Sequence, residues 1–116
     1  MSENTNLKIA LDNASDLFNN NNLNECIEQL EEILNIHPSN LKALSLLLDI
    51  NIKLNRAEKA LKIIKKLIQL EPDSKEHHEK LVKVHQFLND NSAYESALID
   101  FHKKFPSITT ARLISN

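Results

Sequence analysis

The feature that most constrains this chain is a regular internal repeat. Its three prolines, Pro38, Pro72 and Pro106, are evenly spaced, thirty-four positions apart. An asparagine lies half a period before each proline, and apolar residues lie eight and five positions before it in every copy. A fixed period of 20 to 50 residues is typical of stacked supersecondary units. The period therefore predicts a stack of helical hairpins, which presents an extended surface and rarely an active site.

Each repeat reads as two helices that are joined by an asparagine turn and ended by proline. Apolar spacings of three and four predict helices over 7–18, 23–36, 41–54, 57–70 and 75–88, and Tyr94, Leu98 and Phe101 mark a last one after a turn at 89–92. Asparagine tolerates a left-handed backbone, so Asn21, Asn55 and Asn89 suit the turns. The residue before proline leaves the helical conformation, and Ser39 or Asn40 can cap the helix that follows.

The predicted fold class is all-α: a right-handed superhelical solenoid of three helix–turn–helix repeats in one domain, residues 1–116. The repeats cover about 7–40, 41–74 and 75–108. After Pro106 a short C-terminal helical start follows, too short to cover the last core face, since solenoids need a polar cap there. We therefore expect a longer protein or a second subunit at this end.

Composition argues against catalysis. Glycine is absent, which excludes a phosphate-binding loop, and no catalytic carboxylate pair or Ser-His-Asp arrangement can be assembled. Of the five histidines, His78 and His85 are seven apart, about 10.5 Å along a helix, whereas metal-binding pairs want a spacing of about four. Cys26 is expected to be a buried structural thiol. We expect no enzyme activity, no cofactor and no metal.

The chain shows no membrane or secretion signal. The longest apolar run without a charge, 43–48, is far shorter than the ~20 residues that span a bilayer, and the N-terminus lacks a secretory signal. These features predict a cytoplasmic protein without a membrane partner.

Two charged rows stand in the same repeat positions. Glu25, Glu28, Glu31 and Glu32 are followed one period later by Lys59, Lys62, Lys65 and Lys66. In a helical stack such rows can face each other, each exposed pair contributing about 0–1 kcal/mol. No aromatic residues interleave with the lysines, so we expect them to support stacking and not to bind nucleic acid.

The period, the turn asparagines and the closing prolines resemble the tetratricopeptide repeat over about residues 5–108. The family has a small residue early in the second helix, and here that position holds Cys26, Ala60 and Tyr94. Four residues later the family has a bulky apolar residue, and here that position holds Leu30, Ile64 and Leu98. The turn glycine is replaced by asparagine in all three copies. The third repeat departs most, because Tyr94 is large where a small residue is usual.

The resemblance implies a concave groove, lined by the first helix of each repeat, that holds a peptide. By register, the groove residues would be Lys8, Leu11, Ser15, Phe18, Lys42, Ser45, Leu46, Asp49, Ile52, Glu76, Glu79, Lys80, Lys83 and Phe87. Phe18 and Phe87 would be its anchors. Of the positions that form the family's carboxylate clamp for chaperone tails, only Lys80 keeps the positive charge, and Glu76 would repel a carboxylate, so a chaperone-clamp role is rejected.

The sequence thus predicts an interaction scaffold that binds a protein or peptide segment in the groove. One alternative is a self-association or substrate-docking module at the front of a larger enzyme, for example a bacterial glycosyl- or sulfotransferase. Another is a small secretion or assembly chaperone. A homodimer through the C-terminal face, with Leu98 and Phe101 at the contact, also stays open.

Overall fold

The computed structural model describes residues 3–106, which form six helices and no strand within that range. The helices are α1 (Glu3–Asn19), α2 (Leu23–Ile36), α3 (Leu41–Lys53), α4 (Ala57–Leu70), α5 (Lys75–Phe87) and α6 (Asn91–Lys104). The all-α prediction is confirmed, and α2 and α4 have the predicted bounds. The predicted C-terminal helical start lies outside the described residues.

The three turn asparagines adopt the left-handed conformation that the sequence predicts. Asn21, Asn55 and Asn89 have φ values of 62°, 58° and 56°. This region costs an ordinary L-residue roughly 1–2 kcal/mol, and asparagine enters it more readily than other residues that carry a Cβ. The same turn therefore recurs once in every period without glycine.

The residues before the prolines end the second helix of each repeat in one common geometry. His37, Glu71 and Phe105 have φ values of −125°, −134° and −128°, outside the helical region. Each backbone N–H still donates to the carbonyl oxygen four residues earlier, at 2.7, 2.8 and 2.8 Å. The proline thus stops each helix at the same repeat position.

Side chains cap the N-termini of three helices. Asn40 Oδ1 accepts from the Ala43 backbone N–H at 2.9 Å, as one of the two predicted caps for α3. The Ser74 hydroxyl oxygen accepts from the N–H three residues on at 3.4 Å, and Asp90 Oδ1 does so at 3.1 Å. Each cap satisfies an N–H that the helix itself leaves without a partner.

The helices group into two compact units that divide between Leu54 and Asn55. In the first unit, α2 packs against α1 and α3, and α1 also contacts α3. Its buried core consists of Ala14, Cys26, Leu30, Ile33, Ala43 and Ile50. Small residues at 14, 26 and 43 let the three helices approach each other closely.

In the second unit, α5 packs against α4 and α6. The buried residues of α4 are Ala60, Ile64 and Leu67, which stand one period after Cys26, Leu30 and Ile33 of α2. The repeat therefore preserves both helix bounds and the buried face. The division at Leu54 falls within the predicted second repeat, and the single domain over 1–116 stays a prediction.

Candidate functional site

In the first unit, the predicted groove residues lie on the accessible parts of α1 and α3. Lys8 and Lys42 are exposed, and the others are half-buried: Leu11, Ser15 and Phe18 on α1, and Ser45, Leu46, Asp49 and Ile52 on α3. Close neighbours along the same helices, Ala14 and Ala43, are fully buried. The rotation of the two helices thus turns the predicted residues away from the core centre.

Phe18 is less available than an anchor role requires. Its ring packs against the core of the first unit, and the Lys53 ammonium lies 5.8 Å from the ring centroid. Lys53 also donates to Asn21 Oδ1 at 3.0 Å, which ties this lysine to the α1–α2 turn. Attraction between an ammonium and an aromatic face stabilises such an arrangement by ~0.5–1 kcal/mol. A ligand would have to displace Lys53 to reach the Phe18 face.

In the second unit, the predicted groove residues of α5 are more exposed. Glu76, Glu79, Lys83 and Phe87 are exposed, and Lys80 is half-buried. Lys80 pairs with Glu76 at 3.3 Å, one helical turn away. The Lys83 ammonium lies 6.0 Å from the centroid of the Phe87 ring, which is still 45% exposed. Phe87 is thus the more accessible of the two predicted anchors.

The residues predicted for self-association lie on α6 and are half-buried. The Phe101 ring contacts the Phe105 ring at a centroid distance of 5.3 Å and the His102 ring at 5.7 Å. Leu98 lies one turn before Phe101, and the intervening Ile99 is 44% exposed. Part of the Phe101 ring is therefore covered by contacts within the second unit. Dimerisation through this helix stays a prediction.

Two buried histidines escaped the sequence analysis. The Nε2–H of His77 donates to the Glu71 carboxylate at 2.8 Å, while His102 is buried at the C-terminal end of α6. The Nδ1 atoms of both are buried with no hydrogen-bond partner among the described residues. The repeat register indicates their burial, because the residues one period earlier are apolar: Ala43 for His77 and Ile68 for His102. Within residues 3–106 no three His, Cys, Asp or Glu side chains cluster closely enough to hold a metal ion.

Cys26 is a structural thiol, as predicted. Its side chain is fully buried, and the thiol donates to the Ala14 carbonyl oxygen at 3.1 Å. Burial raises the pKa of the Cys26 thiol above its ordinary value, and the smaller opposing effect comes from the Phe18 backbone N–H. A thiol that stays protonated is a poor nucleophile.

Helical repeats with one buried face and a mixed polar and apolar exposed face define a scaffold for protein–protein interactions. Residues 17–83 match the family described as Tetratricopeptide repeat, and the chain belongs to that family. The resemblance seen in the sequence is thereby confirmed. No curated protein sequence matches the chain.

Solved structures with a similar fold include those of MamA. MamA 41-end from Desulfovibrio magneticus RS-1 has a TM-score of 0.77 and 12% identity, covering 90% of this chain and 59% of its own. The structure titled crystal structure of MamA protein has a TM-score of 0.76 and 18% identity, covering 85% of this chain and 54% of its own. This chain thus spans somewhat more than half of those structures, and the likeness confirms the fold class. Among the helices of residues 3–106, none combines the length and apolarity of a membrane span.

Proposed function

We propose that the chain binds an extended or helical segment of a protein partner along the first helices of its repeats. The observation that carries the proposal is the rotation of these helices: none of the fourteen predicted groove residues is buried. Alternating half-buried apolar and polar side chains suit a peptide that needs both apolar contact and hydrogen bonds.

The first unit supplies the better-defined part of the proposed surface. α1 and α3 contact each other, so Ser15 and Leu11 belong to the same unit as Ser45 and Leu46. The half-buried leucines would contact apolar side chains of the peptide, and the two serines would donate or accept hydrogen bonds. In the second unit, Phe87 is the exposed aromatic residue that best suits an anchor.

The proposal is tested by selecting 16-residue peptides from a random display library and measuring their affinity for variants by fluorescence anisotropy. Ser15→Arg and Ser45→Arg place a large side chain on the proposed surface, and each should weaken binding at least tenfold. Ser96→Arg, at an exposed serine of α6, adds the same charge elsewhere and should leave affinity unchanged. Circular dichroism checks that each variant is folded. Peptides that bind all three variants equally well would refute the proposed surface.

A further inference from the structure

A separate cleft lies in the first unit, between α1 and α2, with a volume of about 370 Å³. Its apolar lining comes from Leu7, Ala10, Ile33 and Ile36. Its polar lining comprises the Glu32 carboxylate, the side-chain amides of Asn6 and Gln29, and the His37 imidazole. None of the cleft residues belongs to the predicted groove. The volume is at the lower end of the range of ligand pockets, which suits a few side chains of a larger partner.

Ile36 makes this cleft unusual within its own repeat pattern. Its side chain is 71% exposed, whereas Leu70, at the equivalent position of α4, is 39% exposed. Burying an exposed isoleucine against a partner removes apolar surface from water and so favours association. Ile36 therefore gives the cleft an apolar contact that the first unit leaves uncovered.

Two glutamates lie on the face of α2 that leads to Ile36, and one of them, Glu32, lines the cleft. Glu25, Gln29, Glu32 and Ile36 follow at spacings of four, three and four, which places them on one face of α2. Residues 3–36 contain seven acidic side chains and one lysine, a net charge of −6. Within the described part of the first unit, no ammonium group pairs with the Glu25 or Glu32 carboxylate. The first two helices thus carry a net negative charge, which attracts cations and repels nucleic acid.

We propose that the α1–α2 cleft binds the apolar face of a basic amphipathic helix from a partner protein. Leucine-like side chains of that helix would enter between Leu7, Ile33 and Ile36, and its flanking lysines or arginines would pair with Glu25 and Glu32. Charge complementarity selects this occupant, because the cleft combines an apolar lining with the Glu32 carboxylate, and residues 3–36 carry a net charge of −6. The site is independent of the groove proposed above.

An 18-residue fluorescein-labelled peptide of leucine and lysine, with all leucines on one helical face, serves as the probe. The decisive variant is Ile36→Asp, which adds a negative charge while removing the apolar contact. If the peptide is seated in the cleft, its affinity should fall at least tenfold despite the added charge. Ile99→Asp, at an exposed isoleucine of α6, adds the same charge outside the cleft and should not weaken binding.

Glu32→Gln should weaken binding several-fold and reduce its dependence on salt concentration, because one ion pair is lost. Unchanged or tighter binding by Ile36→Asp would mean that the peptide is attracted by charge alone, which overturns the proposal. Absence of binding to the unmodified chain overturns it as well. Because Ile36 is mostly exposed, the substitution should leave the helical circular dichroism unchanged.

Isoleucine methyl NMR locates the peptide directly. Binding in the cleft should shift the Ile33 and Ile36 methyl signals and leave Ile63 and Ile99 in place. Shifts confined to Ile52 would assign the peptide to the groove of α3 and overturn the cleft proposal while supporting the groove. Light scattering without peptide tests whether a second copy of the chain fills the cleft. A dimer that Ile36→Asp dissociates would show that it does, which also overturns the proposal.

Discussion

Replacing the turn residue Asn89 by alanine should destabilise the chain through the backbone alone. Asn89 has φ 56°, its side chain is exposed, and no hydrogen bond of that side chain occurs among the described residues. Packing and side-chain hydrogen bonding therefore contribute little to the change. What remains is the cost of holding alanine in the left-handed region, for which we expect a loss of ~1 kcal/mol relative to asparagine.

The assay is urea unfolding followed by circular dichroism at 222 nm. For slopes of about 1–3 kcal/mol per molar urea, a loss of ~1 kcal/mol lowers the midpoint by about 0.3–1 M. Asn89→Gly should stay within ~0.5 kcal/mol of the unmodified chain, because glycine fits the turn but makes the unfolded chain more flexible.

The matched control is Asn13→Ala, an exposed position in the interior of α1. There alanine is the better helix former, so the same chemical change should stabilise by roughly 0.5 kcal/mol. A gain in stability for Asn13→Ala and a loss for Asn89→Ala would establish that the backbone conformation decides the effect of the substitution. Equal midpoints for the alanine and glycine variants at 89 would refute the reasoning.

Three further predictions concern pH, caps and a buried histidine. Above about pH 8.5 the unfolded Cys26 thiol ionises while its raised pKa keeps the folded thiol protonated. The unfolded state then binds fewer protons, so the free energy of unfolding should fall by up to ~1.4 kcal/mol per pH unit. Cys26→Ala should remove this fall in the free energy of unfolding between pH 8 and pH 10, as measured by urea titrations. An unchanged pH dependence in the variant would contradict the role of the thiol. Asn40→Ala should lower the free energy of unfolding by ~1 kcal/mol. Ser74→Ala should lower it by less, because its cap hydrogen bond is longer, 3.4 Å against 2.9 Å. Equal shifts of the urea midpoint for the two variants would show that this distance does not determine the loss. His102→Leu should stabilise by ~1 kcal/mol in thermal unfolding by removing a buried, unpartnered Nδ1, and a lower Tm would argue against that account.

The sequence predicted most accurately the bounds of α2 and α4, in which a regular apolar spacing accompanies the turn and proline signals at the two ends. α2 and α4 lie between a left-handed asparagine and a proline, and their observed bounds equal the predicted ones. The predicted start of α1 lies four residues after the observed one, because the polar residues 3–6 show no apolar period. α6 begins at Asn91, inside the predicted turn, since Asp90 already caps the helix.

The candidate sites were predictable to different degrees. The accessible face of α1, α3 and α5 follows from the repeat register, because equivalent positions share the same helical rotation. The α1–α2 cleft does not follow from it, since the exposure of Ile36 depends on which neighbour covers the end of α2. Histidine suits both core and surface, and only comparison with the apolar residues at equivalent positions indicates that His77 and His102 are buried.

Because the same turn recurs at Asn21, Asn55 and Asn89, whole repeats of the chain can be removed or added at these positions. Excising residues 23–56 would join Asn22 to Ala57, and Ala57 begins α4 at the repeat position where Leu23 begins α2, so the turn at Asn21 would be followed by a helix as before. Chains of this kind can therefore be shortened or lengthened by one whole period without creating a new type of loop. A library of homologous recombinants crossed at these asparagines should accordingly yield a high fraction of folded proteins.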